Sequence, residues 1–530
     1  MPRRQNIENQ PQPVRPQGEG MPLMPPPPPP MPRQGWRGRW LQRMGNLKAR
    51  PLTLQQERTI PNWLIGRSVL VFFIALIACW VAFGYVPRLD LIMVSCLSVI
   101  LFFMLGAFLS RSWSHVGEKR FLKNVFWIGV LVRLIFVLYM FFLFNPSYYG
   151  NTFGDEADTS WYMPFGAGIA QWIRNGFDMT FAELQKTWGA SIDDTGYPMW
   201  LGVVYLLTGG ISDVFIPFVF KSIMGAYCAI CIYRVAHRHF GEGTARTATL
   251  FVALNPNMIY WCGTMMKETE MVFLVCLAID NFDKVLSSGQ KYTFKSLLPG
   301  MLAALALMFF RTVLGLVMFI AMFAHIVLAS QRVMSMGKKF LAGVLVALVL
   351  VVSMGDRIRS QSQKLMETAQ SDSQQMNINW RSHSNSLAQY ASAAVFAPLI
   401  FTIPFPTMNQ ANEVQLLQVQ LSGGSYIKNI MSFFVILVMF IMLLNGDWRK
   451  HVFIIAYTVG YLIVLVMSAF AQSGRFHMPI MPVLMLFAAY GVQLEKTNPK
   501  IRKWFSIVLA IEVLVCLAWN WFKLRGRGMI

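Results

Sequence analysis

Three short stretches of the sequence combine charged side chains with the edge of a long apolar run. Residues 154–162 read GDEADTSWY, residues 263–270 read GTMMKETE, and residues 473–479 read SGRFHMP. The first stretch offers carboxylates, the second a lysine with two glutamates, and the third an arginine and a histidine. The candidate functional side chains are Asp155, Glu156, Asp158, Lys267, Glu268, Glu270, Arg475 and His477.

These residue types suit group transfer on an anionic substrate held in a membrane. A carboxylate can act as general base on an acceptor hydroxyl. Basic side chains, or a metal ion held by carboxylates, can neutralise a departing phosphate. Arg311 ends an apolar run and joins the basic set. The plainer alternatives are a solvated acidic loop, a charge pair at a helix start, and an arginine that reaches the membrane interface.

The composition indicates a polytopic α-helical membrane protein. The chain has 530 residues, 55% hydrophobic and 13% charged, with a mean hydropathy of +0.46. Soluble domains carry about 25% charged residues. Apolar runs recur at roughly the 17–25 residues that a bilayer requires. The net charge of +21 lies largely in short loops and the N-terminal tail, as the positive-inside rule predicts, and does not indicate nucleic-acid binding.

Several function classes lack their motifs. We find no P-loop, no dinucleotide-binding fingerprint and no HExxH, which disfavours ATP hydrolysis and the use of nucleotide sugars in the cytosol. The seven cysteines lie in or beside apolar segments. They include Cys228 and Cys231 in CAIC, which has no second pair at ligand spacing, so we expect cysteines that fill a core rather than disulfides or a metal site.

The chain divides into six regions by composition. The first is a disordered basic tail with PPPPPP at 25–30. Apolar runs and two long polar segments follow, with about 13 predicted crossings in all. The predicted regions are the cytosolic tail 1–65, three spans in 66–144, an acidic outer loop in 145–212, central spans in 213–354, a second outer loop in 355–425, and C-terminal spans in 426–530.

Charge in the loops predicts the topology. RSWSHVGEKRFLK at 111–123 is basic and should be cytosolic, so the third span leads out of the cytosol and the tail lies inside. The three charged stretches then share one face. Within the first outer loop, WYMPFGAGIAQWIRNGF has the spacing of an interfacial helix. The apolar segment 197–210 is too short to cross and is predicted to be juxtamembrane.

The order of these motifs resembles the GT-C superfamily of membrane glycosyltransferases, which includes protein O-mannosyltransferases and the lipid A aminoarabinose transferase. In that family an Asp-Glu pair stands in the first large outer loop, as in GDEADTSWY. A juxtamembrane helix like GYPMWLGVVYLLTGG follows, then a basic span end like YRVAHRHFG. Next comes a span that closes on an acid, like LNPNMIYWCGTMMKETE, and late in the chain a stretch like GRFHMPIMP.

The resemblance implies a polyprenyl-phosphate-sugar donor, a hydroxyl acceptor and catalysis on the non-cytosolic face of the membrane. It assigns Asp155 and Glu156 to catalysis, with Asp155 as general base. Departures are the two extra spans in 66–110 and a second acidic stretch without a clear Asp, which leaves a divalent metal ion open as the one candidate cofactor. It implies donor-phosphate binding by Lys267, Arg475, His477 and Arg311, and acceptor or metal positioning by Asp158, Glu268 and Glu270.

Two other functions fit the same residues. A polysaccharide polymerase or ligase shares the lipid carrier and works from a large late outer loop, for which 355–425 is available. A transporter of an anionic lipid-linked substrate would show inverted repeats and interrupted helices with charges near the bilayer midplane, and we find no clear repeat. The absence of a retrieval or glycosylation signal favours a bacterial cytoplasmic membrane.

Overall fold

The computed structural model describes residues 52–84, 89–149, 157–189, 194–209, 215–287, 293–328, 408, 416–467 and 474–525, all within one compact unit from Lys48 to Ile530. Throughout these residues the chain forms helices and no strand, which confirms the all-α fold class. The tail before residue 52, the predicted span at 339–354 and most of the second outer loop lie outside the described residues.

The helices coincide with the apolar runs and with the predicted juxtamembrane segments. They are α1 (Leu54–Arg58), α2 (Asn62–Phe83), α3 (Leu89–Ile100), α4 (Gly106–Ser112), α5 (Glu118–Tyr139), α6 (Asn145–Tyr149), α7 (Ala157–Arg174), α8 (Phe181–Thr187), α9 (Gly196–Leu207), α10 (Phe215–Ala253), α11 (Pro256–Tyr260), α12 (Glu268–Leu286), α13 (Phe294–Phe310), α14 (Thr312–Leu328), α15 (Leu416–Asn445), α16 (Val452–Met467), α17 (Met481–Thr497) and α18 (Pro499–Arg525).

Eight helical segments of the described chain are long and apolar enough to cross a membrane, and three apolar helices of 10–17 residues accompany them. The chain is therefore an integral membrane protein. The count of about 13 crossings stays a prediction, because the segment at 339–354 is not described and the short helices do not decide it by length.

Helix formation begins inside the segment that the sequence assigned to the tail. Thr53 caps α1 through a reciprocal capping box with Gln56, and α2 starts directly after Pro61. Both are residues that favour helix N-termini, the first by accepting backbone N–H bonds and the second by its fixed φ. The bundle thus begins several residues before the predicted boundary at 65.

Helix α2, near the start of the described chain, packs against α18, the last described helix. The Trp63 ring meets Phe505 of α18 edge-on with centroids 5.6 Å apart, and its indole N–H donates to Glu495 at 3.0 Å. Farther along α2, the Tyr426 hydroxyl of α15 donates to the Ser68 carbonyl at 2.7 Å. The first and last spans are therefore neighbours, and the bundle closes on itself.

Glycine lets two helices of the first outer loop cross closely. A side chain on Gly166 of α7 or Gly202 of α9 would collide with the other helix. The 12-residue helix α9 exposes an apolar stripe at every fourth residue, which is the spacing of one helix face. The stripe consists of Met199, Val203 and Leu207. This geometry agrees with the predicted juxtamembrane helix.

A kink at a glycine divides α10 into two parts. Gly241 has φ +80°, a left-handed conformation that glycine adopts without steric cost. Just beyond it, Glu242 accepts from Arg58 at 2.7 Å and from Arg246 at 2.9 Å. Arg246 also donates to the Trp113 carbonyl at 2.8 Å. The start of the bundle is thereby fastened to this kink.

The basic stretch before the kink binds α12. Arg238 donates to Asp283 at 2.6 Å and to Asp280 at 2.8 Å. His239 lies 2.6 Å from the other oxygen of Asp283 and 2.8 Å from His451. These contacts give the YRVAHRHFG motif a structural role in joining α10 to α12.

Arg133 supports a helix break within the apolar part of the bundle. Its side chain is fully buried and donates to the carbonyls of Ala253 at 2.8 Å and Val252 at 3.5 Å, where α10 ends. Asn255 then caps α11 by accepting from the Met258 amide. The last carbonyls of a helix have no partner within it, so the arginine satisfies groups that lipid could not.

Arg133→Met is therefore expected to destabilise the protein by about 2 kcal/mol, because buried carbonyls lose their donor. The measurement is the thermal unfolding midpoint in detergent, followed by tryptophan fluorescence. Arg120→Met, on the exposed start of the same helix, is the matched control and should leave the midpoint unchanged. An unchanged midpoint for Arg133→Met would show that the carbonyls do not depend on this donor.

Candidate active site

The predicted catalytic acids are only partly covered by the structure. Asp155 and Glu156 lie outside the described residues, and Asp158 falls in the first turn of α7. Their roles stay predictions. Helix α7, which follows them, packs against α9. Asp194 lies just before α9 and contacts the second charged stretch.

Lys267 forms a buried ion pair at the start of α12. Its ammonium binds the carboxylate of Asp194, which is partly exposed just before α9. Burial lowers the pKa of the Lys267 ammonium below its ordinary value, and the Asp194 carboxylate opposes that effect. The Tyr162 ring lies 6.0 Å from the ammonium. The pair joins the chain just before α9 to the second charged stretch.

Glu268 and Arg475 join the second stretch to the third. The Arg475 guanidinium donates to Oε1 of Glu268, whose side chain is fully buried. The other carboxylate oxygen, Oε2, has no hydrogen-bond partner among the described residues. Residues 207 positions apart in sequence thus meet, and one buried acceptor remains available to a hydroxyl group.

Glu270 pairs with a lysine of α10. Lys221 Nζ lies 3.4 Å from a Glu270 oxygen, and both side chains are buried. The same ammonium donates to the Tyr197 hydroxyl at 3.3 Å and to the Met266 carbonyl. Lys221 therefore fixes the chain immediately before Lys267 and also binds α9.

The turn Gly474–His477 is contacted from three further directions. Arg311 stacks on the Phe476 ring at 4.3 Å, and the Tyr461 hydroxyl donates to the Phe476 carbonyl at 2.7 Å. His477 is fully buried and its Nδ1 contacts the ammonium of Lys428 from α15. The turn that carries Arg475 is thus held in place by α13, α15 and α16 together.

The structure brings together most of the predicted binding residues that it describes. Lys267, Glu268, Glu270 and Arg475 are linked directly or through neighbouring residues, and Arg311 and His477 lie on the Arg475 turn. Three members of this cluster were not among the predicted site residues. They are Asp194, Lys221 and Lys428. The two lysines interrupt apolar runs, and this intramembrane charge was the sequence signal for them.

The described carboxylates do not fit a metal site. Glu268 is paired with Arg475 and Glu270 with Lys221, so a cation of the protein already compensates each carboxylate. No group of three metal-binding side chains occurs in the part of the chain that the structure describes. We therefore derive no step through a metal ion.

Comparison with known proteins agrees with this arrangement. A family model described as "Dolichyl-phosphate-mannose-protein mannosyltransferase" matches residues 196–354 of the 530-residue chain. The matched segment contains Lys221, Lys267, Glu268, Glu270 and Arg311. No curated protein matches the chain significantly. The family match confirms the predicted relationship to the GT-C glycosyltransferases.

Proposed function

We propose that this protein transfers a sugar from a polyprenyl-phosphate carrier to a hydroxyl acceptor on the non-cytosolic face of a bacterial cytoplasmic membrane, with its N-terminus in the cytosol. The observation that carries the proposal is the convergence of Asp194, Lys267, Glu268 and Arg475, partly within the family match. A departing phosphate is stabilised by cations, and an acceptor hydroxyl is activated by carboxylates. The reaction therefore requires both kinds of side chain at one membrane boundary.

In the proposed reaction, Asp155 removes the proton of the acceptor hydroxyl. The hydroxyl oxygen bonds to the anomeric carbon while the bond from that carbon to the phosphate oxygen breaks. The electron pair of that bond leaves with the phosphate, and the configuration at carbon inverts. General-base assistance of this kind contributes about 10²–10⁴-fold to a rate. Glu156, the neighbouring carboxylate, is proposed to assist Asp155 in this step.

The cations around the Arg475 turn are proposed to hold the donor phosphate, as charged donors aimed at a developing anion do. Lys267, Arg311 and Arg475 carry this role, with His477 as a further contact on the same turn. Glu268, through its unpartnered Oε2, and Glu270 are proposed to position the acceptor, with Asp158 at the loop side. The Asp194–Lys267 pair ties the chain just before α9 to this cluster, and Asp155 is proposed to act on the acceptor from the same predicted loop.

The transporter alternative has one observation in its favour. The helix break after Ala253, with buried Arg133 beside it, is the kind of interruption found in transporters. However, the Arg133 donors described above are used by carbonyls, so this charge supports the break rather than a substrate. The polymerase alternative depends on the loop 355–425, which the structure does not describe.

Mass spectrometry of cell-envelope glycans in a deletion strain tests the proposal. Loss of a single sugar from an otherwise complete glycan is the result expected for the transferase. Shortened glycan chains would instead indicate a polymerase or ligase. Accumulation of carrier in the inner leaflet would indicate a transporter, and either of these results would overturn the proposal.

A further inference from the structure

The cations near the Arg475 turn differ in whether a carboxylate compensates them. Lys267 is paired with Asp194, Arg475 with Glu268, and Lys221 with Glu270. Each of these charges is neutralised within the protein. They therefore add hydrogen-bond donors to the site but little net positive charge.

Arg311 and Lys428 have no carboxylate partner in the part of the chain that the structure describes. The Arg311 guanidinium lies over the Phe476 ring and beside the Tyr461 hydroxyl. The Lys428 ammonium contacts Nδ1 of His477. Among the described residues, neither forms an ion pair with a carboxylate. Because Phe476 and His477 are consecutive, the two uncompensated cations flank one turn of the chain.

Lys428 makes this arrangement costly for the empty protein. Its side chain is 2% exposed, and a buried ammonium without an opposite charge destabilises a fold. Of its three N–H donors, one meets His477. A sequence that keeps such a group in an apolar helix is consistent with an anion that arrives from outside the chain.

We propose that Lys428 and Arg311 together compensate the charge that builds up on the carrier phosphate as it leaves the sugar. The donor is a phosphodiester with one negative charge. The released carrier is a monoester with about 1.5 to 2 negative charges near neutral pH, like other phosphate monoesters. Two uncompensated cations therefore favour the leaving group over the donor, which accelerates the transfer step. The inference rests on the proposed function.

Lys428 acts across the turn, because its ammonium contacts His477. It is a positioning residue that supplies charge in a region of low dielectric, where one charge acts more strongly than in water. Its removal should therefore weaken binding of a monoester more than binding of a diester, and should leave binding of an uncharged lipid unchanged. A residue that merely held the fold together would affect all three ligands alike.

The test uses the purified full-length protein in detergent with three probes: farnesyl phosphate, its methyl diester and farnesol. Binding is measured by calorimetry, and unfolding of the ligand-free protein by its thermal midpoint. The variants are Lys428→Met, Lys428→Arg and, as matched control, Lys450→Met. The control removes an exposed lysine just beyond the C-terminal end of α15.

Wild-type protein is expected to bind the monoester most tightly and farnesol most weakly. Lys428→Met should weaken monoester binding by about thirtyfold, in the range for loss of a buried charged partner, while Lys428→Arg and Lys450→Met keep it. Without ligand, Lys428→Met should unfold at the same or a higher temperature, because it removes an uncompensated buried charge.

Three results would count against these claims in different ways. Equal binding of farnesyl phosphate and farnesol by wild-type protein would overturn the anionic carrier site and the proposed function with it. Wild-type preference for the monoester that survives in Lys428→Met would overturn the role of Lys428 alone. A lower unfolding temperature of ligand-free Lys428→Met would also overturn it, because it would show that the ammonium is structural.

Discussion

Asp155→Asn is expected to abolish sugar transfer while the protein still accumulates in the membrane. Asparagine keeps the size of the side chain but accepts no proton, so the acceptor hydroxyl loses its base. A rate decrease of at least about 10²–10⁴-fold follows from loss of general-base catalysis. The measurement is restoration of the missing sugar in a deletion strain that expresses the variant, with the amount of protein determined by immunoblot.

Asp158→Asn is the matched control, because it makes the same chemical change three positions away in the same loop. It is expected to retain most of the activity, since it is assigned only to positioning. Full activity of Asp155→Asn would exclude this residue as the base. Equal loss in both variants would point to the charge of the loop as a whole rather than to one proton acceptor.

Arg475→Met is expected to lower both stability and transfer. It leaves the fully buried Glu268 without its cation, and breaking a buried ion pair from one side costs about 3–5 kcal/mol. It also removes a donor from the proposed phosphate site. The unfolding midpoint in detergent and complementation of the deletion strain report the two effects separately.

A second variant separates structure from chemistry at this pair. Replacing both Arg475 and Glu268 by Met removes the isolated charge, so much of the lost stability should return, whereas transfer should stay absent. Arg174→Met, an exposed arginine at the end of α7, is the control for loss of one positive charge in this region. Restored transfer in the double variant would show that the pair serves the fold only.

Sequence patterns were sufficient for the fold class, and several of the charged residues that they singled out lie together in the structure. The lengths of the apolar runs predicted the helices, because the bilayer sets those lengths. The loop charges placed GTMMKETE and SGRFHMP on one face, and the structure joins them through Glu268 and Arg475. The prediction that these stretches share one face depends on the predicted topology, which needs only the order of the spans and the charges between them.

The pairing of individual charges was beyond sequence reasoning. Lys221 and Lys428 are both lysines in apolar runs, yet one is neutralised by Glu270 and the other meets His477. Which partner each reaches depends on the rotation of a helix about its axis, and that is decided by packing against neighbouring helices. The helix break supported by Arg133 is of the same kind, since it needs two helices to be known together.

The closed order of the bundle has a consequence for how the protein is made. The first helical segment makes contacts that are distant in sequence. Arg58 binds Glu242, which is 184 positions later, and Trp63 binds Glu495, which is 432 positions later. During synthesis, the face of the first span that carries Trp63 therefore has no packing partner until the final helices are inserted. Assembly is complete only when the first and last spans have packed together. A chain that stops before residue 495 is expected to leave one face of its first span exposed to membrane quality control.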